Sequence, residues 1–196
     1  MDEVQKNIRA FLAIEPPAEI LKAAGILQEK LKKEITGKIS WTRPQGNHLT
    51  LKFFGDIDEN DKKNICAAVE KRVALTTPLS IKIEGTGCFP NSKKPRVLWL
   101  GASGGDIEKI AALQARLEED FEKIGFQREN RKFRPHLTLG RVKNPDEVMG
   151  VGEAINKYSD YSAGEFICKE VVLFQSKLAP QGAIYSKLKT FNFIGE

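Results

Sequence analysis

His48-Leu49-Thr50-Leu51 is repeated 88 positions later as His136-Leu137-Thr138-Leu139, and each copy is soon followed by a glycine, Gly55 and Gly140. The chain has two histidines, and both open this tetrapeptide. Polar and apolar residues alternate as in a half-buried strand, where successive side chains point to opposite faces. His48 therefore shares a face with Thr50, and His136 with Thr138. Leu49, Leu51, Leu137 and Leu139 point the other way and anchor each strand in a core. A repeat of this kind predicts an internal duplication with pseudo-two-fold symmetry.

The surroundings of the two copies support that prediction. Apolar residues at helical spacing predict helices over Ala18–Lys33, Glu59–Val73, Asp106–Ile124 and Glu147–Tyr158. Pro16-Pro17 suits the start of the first, Asp58 can cap the second, and Gly125 can end the third. Extended runs lie between them at Ile8–Ile14, Leu49–Phe54, Leu79–Glu84, Val97–Leu100, Leu137–Val142, Phe166–Phe174 and Ala183–Phe193. The stretch Gly85–Asn91 is expected to be a turn between two strands. The predicted fold is α+β and bilobal, with residues 1–196 as one domain of two pseudo-symmetric lobes. Two antiparallel sheets are expected to face each other across a central cleft, with helices on their outer sides.

Composition narrows the function classes. With 196 residues, 41% of them hydrophobic and 29% charged, the chain suits a water-soluble globular domain with a sizeable core. No stretch approaches the roughly 20 consecutive apolar residues of a membrane span. Met1-Asp2-Glu3 is not followed by a basic-then-apolar leader pattern, so a cytoplasmic protein without membrane attachment is expected. A net charge of +5 favours anionic partners and permits nucleic-acid binding. Cys66, Cys88 and Cys168 are widely spaced and are expected to be reduced, mostly buried thiols.

A histidine and a threonine on one face offer a proton-transfer group near neutrality beside a hydroxyl donor, which suits a phosphoryl oxygen. In-line attack at phosphorus puts the incoming and leaving oxygens on opposite sides, so an acid and a base must approach from opposite directions. Two facing copies supply that arrangement. A structural histidine satisfied by hydrogen bonds is the plainer interpretation of one copy, but it does not require the same imidazole and hydroxyl twice. Zinc-ligand spacing of the HExxH or CxxC type, a GxSxG nucleophile and a P-loop are all missing, so no metal or other cofactor is expected.

These features resemble the 2H phosphoesterase superfamily, and within it the RNA 2′,3′-cyclic phosphodiesterase family, also called the 2′-5′ RNA ligase family. The resemblance is carried by Arg9-Ala10-Phe11-Leu12-Ala13-Ile14, by Trp41-Thr42-Arg43-Pro44 with Asn47 to Gly55, and by Phe133-Arg134-Pro135-His136 to Arg141. It implies opening of an RNA-terminal 2′,3′-cyclic phosphate to a 2′-phosphate without a metal, and possible 2′-5′ joining in reverse. It also implies His48 as proton donor and His136 as proton acceptor, with Thr50 and Thr138 holding phosphate oxygens. Arg141 is the first choice for neutralising phosphoryl charge, and Arg134 and Lys52 are further candidates. Phe11 is expected either to stack on a base or to belong to the core.

Trp41 and Trp99 are expected to be packing residues, and Ser92–Arg96 a solvated basic loop. The expected partner is RNA with a 2′,3′-cyclic phosphate end, tRNA fragments included, and the expected state is a monomer. The competing interpretations are a non-catalytic RNA-end binder, and an enzyme for another nucleotide cyclic phosphate or a 2′-5′ oligonucleotide.

Overall fold

Strands and helices alternate along the chain as the hydrophobic periods require. A computed structural model describes residues 7–179 and 182–195. Met1–Glu3, on which the expectation about a leader rests, lies outside the described residues. The strands are β1 (Ile8–Ile14), β2 (Ile39–Trp41), β3 (Leu49–Ile57), β4 (Leu79–Phe89), β5 (Val97–Ser103), β6 (His136–Val142), β7 (Ser162–Cys168), β8 (Glu170–Ala179) and β9 (Gly182–Asn192). The helices are α1 (Ala18–Glu34), α2 (Glu59–Val73), α3 (Ile107–Lys123) and α4 (Val151–Lys157). Among the described residues no helix is long and apolar enough to cross a membrane.

The strands form two antiparallel sheets, a four-stranded one in the order β3-β1-β8-β9 and a five-stranded one in the order β2-β6-β5-β4-β7. Neither sheet is built from one half of the chain. The early strands β2 and β4 join the sheet of the second motif, and the late hairpin β8–β9 returns to the sheet of the first. The helices cross over in the same way. α1 and α4 pack on the five-stranded sheet, and α2 on the four-stranded one. α3 is tied at its start to β4 and then runs along α2 and β3 of the four-stranded sheet. One continuous core holds Leu12, Leu49, Leu137, Leu139 and the inner faces of all four helices.

Several boundaries differ from the periodic expectation. β4 runs through Gly85 and Gly87 to Phe89 instead of turning there. Gly87 is required because a Cβ at that position would collide with the Trp99 indole, which rests on the strand. The run Phe166–Phe174 is two strands in different sheets, broken at Lys169. α4 starts only at Val151, after Gly150 takes the left-handed conformation at φ 82°. The Asp58 cap is a reciprocal one, in which the Asp58 and Asp61 side chains each accept from the other's backbone N–H.

Both motif strands carry the same irregularity. In the β1–β3 ladder Ala13 opposes Thr50 and Leu12 opposes Lys52, so Leu51 has no partner. In the β5–β6 ladder Trp99 opposes Thr138 and Leu98 opposes Gly140, so Leu139 has none. Each motif thus ends in a β-bulge, and one extra residue reverses which face the following side chains take. Strict alternation from His48 would put Lys52 on the histidine face. After the bulge, Lys52 instead points among the helices, 7% exposed, where its Nζ donates to Glu118 Oε2 and to the Gln127 carbonyl, both at 2.6 Å.

Lys52 is therefore a buried ion-pair residue and is withdrawn as a substrate contact. Removing one partner of a buried pair strands the other charge away from water. Glu118→Ala is expected to lower stability by about 3–5 kcal/mol in urea titrations, and the paired replacement Lys52→Met with Glu118→Leu to recover most of that loss.

Candidate active site

Each imidazole is fixed by the backbone immediately before it. His48 Nδ1 lies 2.9 Å from the Gly46 carbonyl, at the end of the single turn Pro44–Gly46, and His136 Nδ1 lies 2.7 Å from the Arg134 carbonyl. A carbonyl only accepts, so Nδ1–H donates in both rings and Nε2 is left to exchange protons. The same bond two residues back in both copies sets ring orientation and tautomer alike.

Aromatic rings support the imidazoles differently in the two copies. His48 stacks on Phe11 with centroids 4.5 Å apart, meets the edge of Tyr185 at 5.1 Å, and lies 6.2 Å from Phe174. Phe11, Ala13, Val172 and Phe174 form a small buried cluster on this face of the four-stranded sheet. Phe11 is only 1% exposed, so it has no free face for a base and serves as the floor under His48. In the other copy Phe89 meets His136 at 5.1 Å and Trp99 lies 6.3 Å away. Trp99 thus belongs to the site, in contrast to Trp41, which packs under Lys32 of α1.

Arg141 reaches the histidine face through the second bulge. Strict alternation would have buried it with Leu137 and Leu139, but the extra residue turns it outward, where it is exposed. Among the described residues its guanidinium makes no hydrogen bond or ion pair, although its backbone is laddered to β2 and β5, and the hydroxyls of Thr50 and Thr138 make no hydrogen bond. Phe53 occupies the equivalent place in the first copy, exposed and 5.7 Å from Phe11. The Arg134 guanidinium is exposed, while its carbonyl holds His136.

The electrostatics tie these parts into one site. Burial pushes both imidazoles below the ordinary histidine value, and the bond from each Nδ1 to a carbonyl opposes it. The Arg141 charge lowers both, so two rings far apart in sequence feel the same guanidinium. His136 lowers His48 as well, and Glu15 raises it. Two Nε2 atoms can give and take protons, while two unengaged hydroxyls and one cation can stabilise an oxyanion.

Other chemistries find little support among the described residues. No group of three or more His, Cys, Asp and Glu side chains is arranged to hold a metal ion. The three thiols are free, and burial pushes all of them up, Cys168 to about 12, so none is an activated nucleophile.

Sequence reasoning passed over Tyr185, Phe174 and Phe89. An alternating Ile184-Tyr185-Ser186-Lys187 run predicts a strand but not which strand lies beside it. Only the return of β8–β9 to the first sheet brings Tyr185 to His48.

Known proteins match this chain over nearly its whole length. A family model described as the 2′-5′ RNA ligase superfamily matches residues 40–179. A protein of Methanothermobacter thermautotrophicus named RNA 2′,3′-cyclic phosphodiesterase is 35% identical over 94% of this chain and 98% of its own. One of the same name from Methanocaldococcus jannaschii is 35% identical over 93% and 99%. A solved structure from Thermus thermophilus superposes with a TM-score of 0.79 at 27% identity, covering 96% of this chain and 100% of that one. The apo form of E. coli LigT has the same fold, with a TM-score of 0.72 at 21% identity and coverage of 95% and 98%.

With two histidines in the chain, each imidazole can be followed separately by NMR. Both midpoints are expected below 6.5, and Arg141→Ala is expected to raise both, because removing a repelling cation favours the imidazolium.

Proposed function

The chain belongs to the 2′-5′ RNA ligase superfamily, and from that membership we propose that it hydrolyses RNA-terminal 2′,3′-cyclic phosphates to 2′-phosphates by two-histidine acid–base catalysis, with no metal. The observation that carries this reading is the shared geometry of the two imidazoles. Each presents Nε2 with its tautomer set by a carbonyl, and both lie within the field of Arg141. The relatives named RNA 2′,3′-cyclic phosphodiesterase support the substrate class.

In this mechanism a water oxygen attacks phosphorus opposite the bond to O3′. His136 Nε2 takes the proton that the water loses, and His48 Nε2–H gives its proton to O3′ as the P–O3′ bond breaks. The hydroxyls of Thr50 and Thr138 donate to the non-bridging oxygens, and Arg141 offsets the charge that gathers on them. The product carries its phosphate on O2′ and a free 3′-hydroxyl. His136 ends protonated and His48 neutral, so a proton must pass between them, through solvent, before the next turnover. With a 5′-hydroxyl attacking phosphorus in place of water, the same step breaks the P–O3′ bond and joins two RNA ends by a 2′-5′ bond; run backward, it would cleave that bond and restore the cyclic phosphate.

Burial suits His136 to its role, because a depressed imidazole is neutral near pH 7 and ready to accept. It also makes His48 a stronger acid, with fewer protonated molecules as the penalty. The limbs of the pH profile belong to the pair as a whole. kcat/KM is expected to be bell-shaped and centred on the acid side of about 6.5, rising as the base loses its proton and falling as the acid does.

The deciding experiment incubates the protein with cyclic-phosphate-ended RNA in excess chelator and identifies the product by phosphorus NMR. A 2′-phosphate is expected, and His48→Ala or His136→Ala should each reduce turnover about 10²-fold to 10⁴-fold. A 3′-phosphate product, binding without turnover, or activity that vanishes with chelator overturns the proposal.

A further inference from the structure

Two buried glutamines touch the motif strands at the residue after each motif threonine, which the ladder skips. Gln28 of α1 is 2% exposed, and its Nε2 donates to the carbonyls of Leu139 and Thr42, both at 2.8 Å. Gln114 of α3 is 9% exposed, and its Nε2 donates to the Leu51 carbonyl at 3.3 Å and to Glu118 Oε1 at 3.1 Å. Leu51 and Leu139 are the bulged residues.

We propose that Gln28 and Gln114 are positioning residues that lock the two bulges, and so aim Arg141 with Thr138, and Thr50, at the phosphoryl group. The kinetic part of this inference rests on the cyclic phosphodiesterase reading.

The geometry gives each glutamine a specific job. A bulge interrupts the ladder, and backbone groups buried there need partners from elsewhere. At the second motif Thr42 completes the grip. Its N–H donates to the Leu139 carbonyl at 3.0 Å and its hydroxyl to the Thr138 carbonyl at 2.6 Å. Gln28 joins the Thr42 and Leu139 carbonyls, so the end of β2 and the bulge are clamped together two residues before Arg141. At the first motif Gln114 also holds Glu118, which holds Lys52.

If the extra residue relaxed into a regular ladder, the side chains just after it would change face. Arg141 would then turn toward the core and Lys52 toward the substrate. The two braces are reciprocal, since α1 from the first half holds the second motif and α3 from the second half holds the first. Each histidine strand is therefore set by a helix from the other half of the chain.

The test uses Gln28→Met, which keeps the side-chain length and removes the donor. Turnover of a 2′,3′-cyclic nucleotide is expected to fall about tenfold in the otherwise native protein and less than about twofold in an Arg141→Ala background, where the residue being aimed is gone. The His136 midpoint, which faces Arg141 and the Arg134 carbonyl, is expected to move up toward its value in Arg141→Ala.

Equal fold-losses in both backgrounds with an unmoved midpoint would mean that Gln28 only stabilises the fold, and would overturn the proposal. Should Gln28→Met lose its cooperative melt, Gln114→Met compared in native and Thr50→Val backgrounds decides in the same way. A native protein that turns over no cyclic phosphate would sink the functional reading alone, and the NMR midpoint would then judge the brace.

Discussion

Strand alternation, broken once in each motif, is the constraint on which the site depends. Before the bulge, a period of two places histidine and threonine on one face and leucine on the other. After it, the period resumes with the faces exchanged. The same backbone event buries Lys52 with Glu118 and exposes Arg141, although both are basic residues just past an identical tetrapeptide. Matching backbones thus carry different chemistry at matching places, an exposed phenylalanine in one copy and a guanidinium in the other.

That asymmetry breaks the equivalence of the histidines. Both rings lean on a carbonyl through Nδ1, but His48 rests on a closed aromatic floor of Phe11 and Phe174, with Tyr185 at its edge. His136 meets the edge of Phe89, and Trp99 lies nearby, above a glycine that leaves room for its indole. A low-dielectric floor disfavours the charged imidazole, and a single cation near both rings disfavours it further.

The crossing of helices and strands between halves explains how a chain with two copies of one motif behaves as one unit. α1 follows a strand of the four-stranded sheet yet packs on the five-stranded one, and α3 follows a strand of the five-stranded sheet yet braces β3 of the other. The core is continuous across both sheets, so neither can shift without disturbing packing that belongs to the other. The proposed acid and base thus sit on strands that one shared core ties together.

Much of this was legible in the amino acids. The repeat of His-Leu-Thr-Leu, the helical stripes and the presence of only two histidines pointed to the groups proposed to react, and α2 begins and ends where its cap and periodicity place it. These features are local, because alternation and capping act over a few neighbouring residues. What depended on tertiary structure was every property set by pairing. The bulges that separate Lys52 from Arg141, the three-residue strand β2, the burial of Phe11 and the arrival of Tyr185 beside His48 all arise from strands distant in sequence. Residue periodicity records which way a side chain points within a strand, and only the neighbouring strand determines where that count skips a residue.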